Sequence, residues 1–116
     1  MDDTKLSQRV CIACRGDVPP LTGEKLKWWV DKLNGETQEW RVIDGHHLKK
    51  EYTFPDFKSA LEFVNKIGAL AEEQGHHPDI ELSWGRVAVK LFTHKINGLF
   101  DSDFILAAHI DQLHSY

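Results

Sequence analysis

The chain has 116 residues, enough for one domain with a single modest core and too few for two. Its 41% hydrophobic content, four tryptophans and interspersed charges of net -4 exclude a disordered polypeptide and argue against a dedicated nucleic-acid surface. The opening MDDTKLSQRV has no apolar signal core and no apolar run is long enough to span a bilayer, so a cytoplasmic protein without a membrane partner is expected.

Residues 1–21 read as an N-terminal arm carrying Cys11-Ile12-Ala13-Cys14, with Gly16, Pro19 and Pro20 after it. Two cysteines make no disulfide framework. A zinc knuckle needs two more ligands at close spacing, and a redox pair belongs between a strand and a helix, which the prolines disfavour. Structural, metal-associated and redox roles for the pair stay open, in that order. A single domain over 22–116 follows. Thr22 is placed to cap a helix from Gly23 to Leu33, with Leu26, Trp29, Val30 and Leu33 toward the core and Asn34-Gly35 ending it. Trp40 to Ile43, turned by Asp44-Gly45 into Leu48 to Phe54, predicts a hairpin. His46 and His47 sit at that turn, where solvation is the first reading and support of a nearby site the second.

Pro55 stops the strand and Asp56 caps the next helix, whose apolar face is Phe57, Ala60, Leu61, Val64, Ile67 and Ala71. Gly75 suits its left-handed end. Pro78 keeps His77 out of helical backbone, so the His76-His77 pair should lie just past the helix. Ile80, Leu82 and Trp84 alternate with polar residues as a half-buried strand. Gly85-Arg86 turns the chain, and Val87, Val89 and Leu91 line one face of a strand that ends near His94. A last helix runs from Ser102 or Asp103 to His114 with Phe104, Ala107, Ala108, Ile110 and Leu113 inward. The order α-β-β-α-β-β-α predicts an α+β fold, three helices on one face of a four-stranded, mainly antiparallel sheet.

The chemistry concentrates between Glu72 and Asp103. Glu72 lies one helical turn before His76 and is placed to orient its ring or raise its basicity. His76 and His77 diverge in extended backbone, suiting them to grip different parts of one ligand. An antiparallel hairpin returns His94 toward them. Asp103, in the first turn of the last helix, either accepts a bond from an imidazole or complements the helix terminus. Three imidazoles with two acids suit proton transfer near neutral pH. They also suit zinc, but adjacent histidines are an awkward pair of ligands and no His-x-x-x-His is present in this stretch. Trp84 reads as core ahead of ligand platform.

Glu72-x-x-x-His76-His77-Pro78, Trp84, His94 and Asp103, at these intervals, resemble the signature of the pterin-4a-carbinolamine dehydratases. The likeness extends to the Phe57–Glu73 helix, Asn65, Ala71 and the closing Ala107-Ala108-His109-Ile110-Asp111, and covers Thr22 to the C-terminus. It implies dehydration of 4a-hydroxytetrahydrobiopterin to quinonoid dihydropterin, recycling the pterin after an aromatic amino-acid hydroxylase, typically phenylalanine hydroxylase. It also implies a homodimer, or a tetramer built of two, with no metal or prosthetic group. On that pattern His76, His77 and His94 match the active-site histidines, and Glu72 and Asp103 the supporting acids. His76 and His94 are expected to handle protons, with His77 binding the pterin. Gly75 departs from members that carry an acid there. Phe100 departs from those with Thr, which would leave capping to Asp101 or Ser102. The alternative is a non-catalytic dimeric interaction or assembly protein on the same fold. A metal-binding module using Cys11, Cys14 and some histidines is the third reading.

Overall fold

The computed structural model describes Leu6, residues 19–37 and residues 39–114, so Cys11 and Cys14 lie outside the described residues. Helix α1, Gly23–Glu36, begins after Thr22, which adopts extended backbone but makes no side-chain capping bond. The helix also runs through Asn34-Gly35, where the sequence predicts its end. Thr37 closes it instead, donating to the Leu33 carbonyl from its amide at 2.8 Å and its hydroxyl at 3.0 Å. One polar residue supplies two donors to a terminal carbonyl, and Gly35 remains helical despite its low propensity.

Strands β1, Arg41–Ile43, and β2, His47–Thr53, form the first hairpin. Asp44 and Gly45 both take positive φ in its turn, the conformation that Asp and Gly tolerate best. Helix α2, Phe57–Gln74, matches its predicted bounds because both caps are local. An Asp56 carboxylate oxygen accepts the Ser59 amide at 2.8 Å, and that bond holds the Asp56 carboxyl below the usual carboxylate range. The buried stripe of α2 is Ala60, Phe63, Ile67 and Ala71, while Phe57 and Leu61 are exposed. Leu61 is rotated about 100° from Ala60, which takes it off a stripe that Phe63 occupies on the other side.

Strands β3, Asp79–Ser83, and β4, Arg86–Leu91, make the second hairpin, and helix α3, Asp101–His114, ends the fold. The sheet order is β1-β2-β4-β3 and all three pairings are antiparallel. Leu48 and Tyr52 of β2 and Val87, Val89 and Leu91 of β4 form the face that the helices cover. Ser102 to Ala108 and Ile110 are all buried, so α3 is enclosed around most of its circumference. Both other helices pack on it, α1 through Trp29, whose ring centre is 5.8 Å from that of Phe104. Lys50 points inward from β2 and reaches both Asp111 oxygens at 2.9 Å, and the Tyr52 hydroxyl donates to the same carboxylate. Burial, with the Asp111 charge beside it, drives the Tyr52 phenol far above its ordinary value, so Tyr52 serves here as a donor.

Trp84 corrects the core reading. It lies in the β3–β4 turn with 68% of its surface exposed, because β3 ends at Ser83 and the turn begins one residue before Gly85. No described helix is long and apolar enough to cross a membrane.

Candidate active site

Helix α2 ends on Gly75, whose φ of 66° is the left-handed conformation glycine adopts without a Cβ penalty. That reversal sends the next residues off the helix axis, and Pro78 holds them in extended backbone leading into β3. The adjacent imidazoles therefore diverge. His76 turns inward, with 11% of its side chain exposed, and His77 turns outward, with 62% exposed.

His76 Nε2 lies 2.6 Å from an Asp103 carboxylate oxygen that is wholly buried. The second Asp103 oxygen accepts the Thr93 hydroxyl at 2.8 Å and the Phe100 amide at 2.9 Å. Both oxygens are engaged, as a carboxylate in the interior requires. Asp103 is the third residue of α3 and reaches back to an amide just outside the helix, the carboxylate half of a capping box. The two sequence readings of Asp103, helix-start acid and imidazole acceptor, are thus both true of one side chain. It thereby satisfies the Phe100 amide at the start of the helix.

His94 enters by a different device than a strand end. Strand β4 stops at Leu91, and residues His94–Ile96 form a single 3-10 turn closed by Asn97 with φ 50°. A bridge between Thr93 and Gly98 pins that loop, and Pro20 packs so closely on Gly98 that a Cβ there would lie 2.7 Å from the proline Cβ. The His94 ring packs at a tilt on Phe92 with centres 4.1 Å apart. Gly75, His76, His77, Pro78 and Asp79 form one wall of an open cleft of about 370 Å³, and Thr93, His94 and Lys95 form the other.

All three histidines thus meet at one cleft, with an acid behind each of two. The pairing of acids differs from the sequence expectation. Glu72 bonds His77, at 2.5 Å, and leaves His76 to Asp103. Once Gly75 reverses the chain, the one-turn geometry that would join Glu72 to His76 no longer applies. Thr93 and Lys95 were not singled out by sequence. Nothing local marks Thr93, whose partner is ten residues away across the loop, whereas an acid at the third helical position does point to the Phe100 amide. Among the described residues, no three His, Cys, Asp or Glu side chains are grouped to hold a metal ion.

Residues 19–113 match the family model described as pterin 4 alpha carbinolamine dehydratase. A protein of Rubrobacter xylanophilus provisionally named pterin-4-alpha-carbinolamine dehydratase is 49% identical over 110 residues, 95% of this chain and 99% of that one. The solved structure of a transcriptional coactivator/pterin dehydratase from Brucella melitensis superposes with a TM-score of 0.71 at 28% identity, covering 81% of this chain and 97% of that one. A pterin dehydratase-like RuBisCO assembly factor of the alpha-carboxysome matches with a TM-score of 0.57 at 25% identity, covering 67% and 92%. The chain belongs to the pterin-4-alpha-carbinolamine dehydratase family, and membership supports pterin dehydratase activity in general.

Proposed function

We propose that, as a member of this family, the chain removes water from 4a-hydroxytetrahydropterins such as 4a-hydroxytetrahydrobiopterin, giving quinonoid dihydropterin. The observation that carries this reading is the His76–Asp103 pair, held at 2.6 Å on a fully buried carboxylate beside a cleft shared with His77 and His94. The 4a-hydroxyl is a poor leaving group until protonated. As it departs with its bonding electrons, the N5–H bond breaks and that electron pair closes the C4a=N5 double bond. One proton is supplied to the oxygen and one is taken from N5, so the reaction calls for one acid and one base near neutrality.

Asp103 accepts the Nε2 proton of His76, fixing a tautomer whose Nδ1 carries the lone pair. His76 is then the base for N5–H. His94, across the cleft, is the acid for the departing hydroxyl, its ring supported on Phe92. His77, steadied by Glu72, holds the pterin. The product would return, after reduction, to an aromatic amino-acid hydroxylase, and the working form would be a homodimer or a tetramer. The interaction-protein reading is not favoured, since it has no use for an intact set of three histidines and two paired acids.

The test follows quinonoid dihydropterin formation from freshly generated 4a-hydroxytetrahydropterin. Wild type should accelerate dehydration over the spontaneous reaction, and His76→Ala and His94→Ala should each lose roughly 10²-fold or more of that acceleration. No acceleration by wild type would end the enzyme reading. Full rates in both variants would overturn the assigned roles.

A further inference from the structure

Alternation along the strands places one set of side chains on the sheet face away from the helices. Register then fixes which of them are neighbours. Arg41 is opposite Lys49, Lys49 is opposite Lys90, and Lys90 is opposite Asp79. Three cations thus stand in a row across adjacent strands, spanning about 10 Å at ordinary strand spacing. Like charges directly opposite each other destabilise a sheet, so the row works against stability. The nearby acids offset it only in part: Asp79 stands opposite Lys90, and Glu51, held first by Arg86, also feels the Lys49 and Arg41 charges. Glu51 is bonded to Arg86 Nε at 3.1 Å, and Glu81 lies 3.9 Å from the same guanidinium. Among the described residues, Arg41, Lys49 and Lys90 make no ion pair.

Lys49 and Lys90 of the row line a concavity of about 360 Å³ on this face, together with His47, Ala88 and the acids Asp79 and Glu81, and Arg41 is the next cation in the row beyond it. The small Ala88 keeps the floor low between long neighbours. Burial first, then the Lys90 charge and the neighbouring His46, hold the His47 imidazole below its ordinary value, while Asp44 works the other way. This concavity adjoins the catalytic cleft, because Asp79 lines both. Phe92 makes a second link. Its ring centre is 4.1 Å from that of His94 and 4.5 Å from that of His46, and Lys90 Nζ lies 5.4 Å from it.

We infer that the open sheet face beside the cleft is a side-chain subsite, in which Lys49 and Lys90, with Arg41 next in the row, hold a carboxylate or phosphate carried on the substrate's pterin ring. The inference rests on the pterin dehydratase reading and adds the substrate class: pterins with an anionic side chain. With the ring at His76, His77 and His94, the side chain passes Asp79 and Phe92 to reach the cations. Charge-assisted bonds from two or three cations to one oxyanion would favour such a substrate over a neutral one.

The experiment is equilibrium binding of three stable oxidised pterins to the full chain: neopterin, neopterin phosphate and pteroylglutamate. Neopterin, with a neutral side chain, tests the ring site alone, and failure to bind it would sink the dehydratase reading together with this one. Given neopterin binding, the subsite predicts that at least one anionic probe binds about tenfold tighter or better. Whichever of the two gains identifies the oxyanion as phosphate or carboxylate. The gain should shrink as salt rises and vanish in Lys49→Gln/Lys90→Gln. Equal affinity for all three probes, or an advantage that survives the double substitution, would overturn the subsite while leaving the ring site standing.

Discussion

Two imidazoles of the cleft are paired with carboxylates at almost the same length in opposite environments. His76–Asp103, at 2.6 Å, joins a side chain 11% exposed to one wholly buried, whereas His77–Glu72, at 2.5 Å, joins groups 62% and 79% exposed. Water screens the second pair and leaves both partners free to leave it. The first is surrounded by protein, and its carboxylate has two further donors fixed in place. Equal distances therefore do not imply equal function. The buried pair can fix a tautomer and an orientation, and the exposed pair can only bias one.

Removing the buried acid should have the largest effect. Asp103→Ala strips acceptors from His76, Thr93 and the Phe100 amide at once, and should cost about 3–5 kcal/mol in urea unfolding. A loss under about 1 kcal/mol would mean that the pair is not buried as described. Thr93→Val keeps the shape but removes one donor from the buried carboxylate, with an expected cost of about 1–3 kcal/mol and a several-fold slower dehydration. If stability falls while the rate and its pH profile hold, Thr93 serves the fold and not the histidine. Glu72→Gln should shift stability by less than about 1 kcal/mol, and raising salt should abolish what difference there is. A salt-insensitive loss would contradict the exposed description of that pair. Trp84→Ser should change unfolding least, within about 0.5 kcal/mol, since the turn leaves the ring largely in water.

What the sequence revealed divides along the same line between local and distant. The ends of α2 were legible because Asp56 and Gly75 act within a few residues of themselves. The displacement of the histidine pair from the helix was legible through Pro78. Asp103 was legible as an acceptor for an imidazole but not as the partner of His76, because it is 27 residues away and meets that ring only when α3 packs against α2. The same is true of Lys50, whose burial depends on Asp111, 61 residues further on. The antiparallel hairpin that returns His94 toward the pair was legible, but its seat in a 3-10 turn past the strand was not, since the Thr93–Gly98 bridge depends on packing that the strand pattern does not encode. Trp84 failed for a plainer reason: an alternating pattern carries no mark of where the strand stops.

The central claim is that the buried pair, and not its exposed counterpart, carries the proton chemistry. Dehydration of 4a-hydroxytetrahydropterin by Asp103→Asn and Glu72→Gln, measured side by side with wild type, addresses it most directly. The asparagine keeps the size of the side chain but removes its charge, so the enzyme-dependent rate should fall roughly 10²-fold or more. The glutamine should stay within about fivefold of wild type, the scale of an exposed ion pair. Equal losses in the two variants, or a larger one at Glu72, would contradict the account.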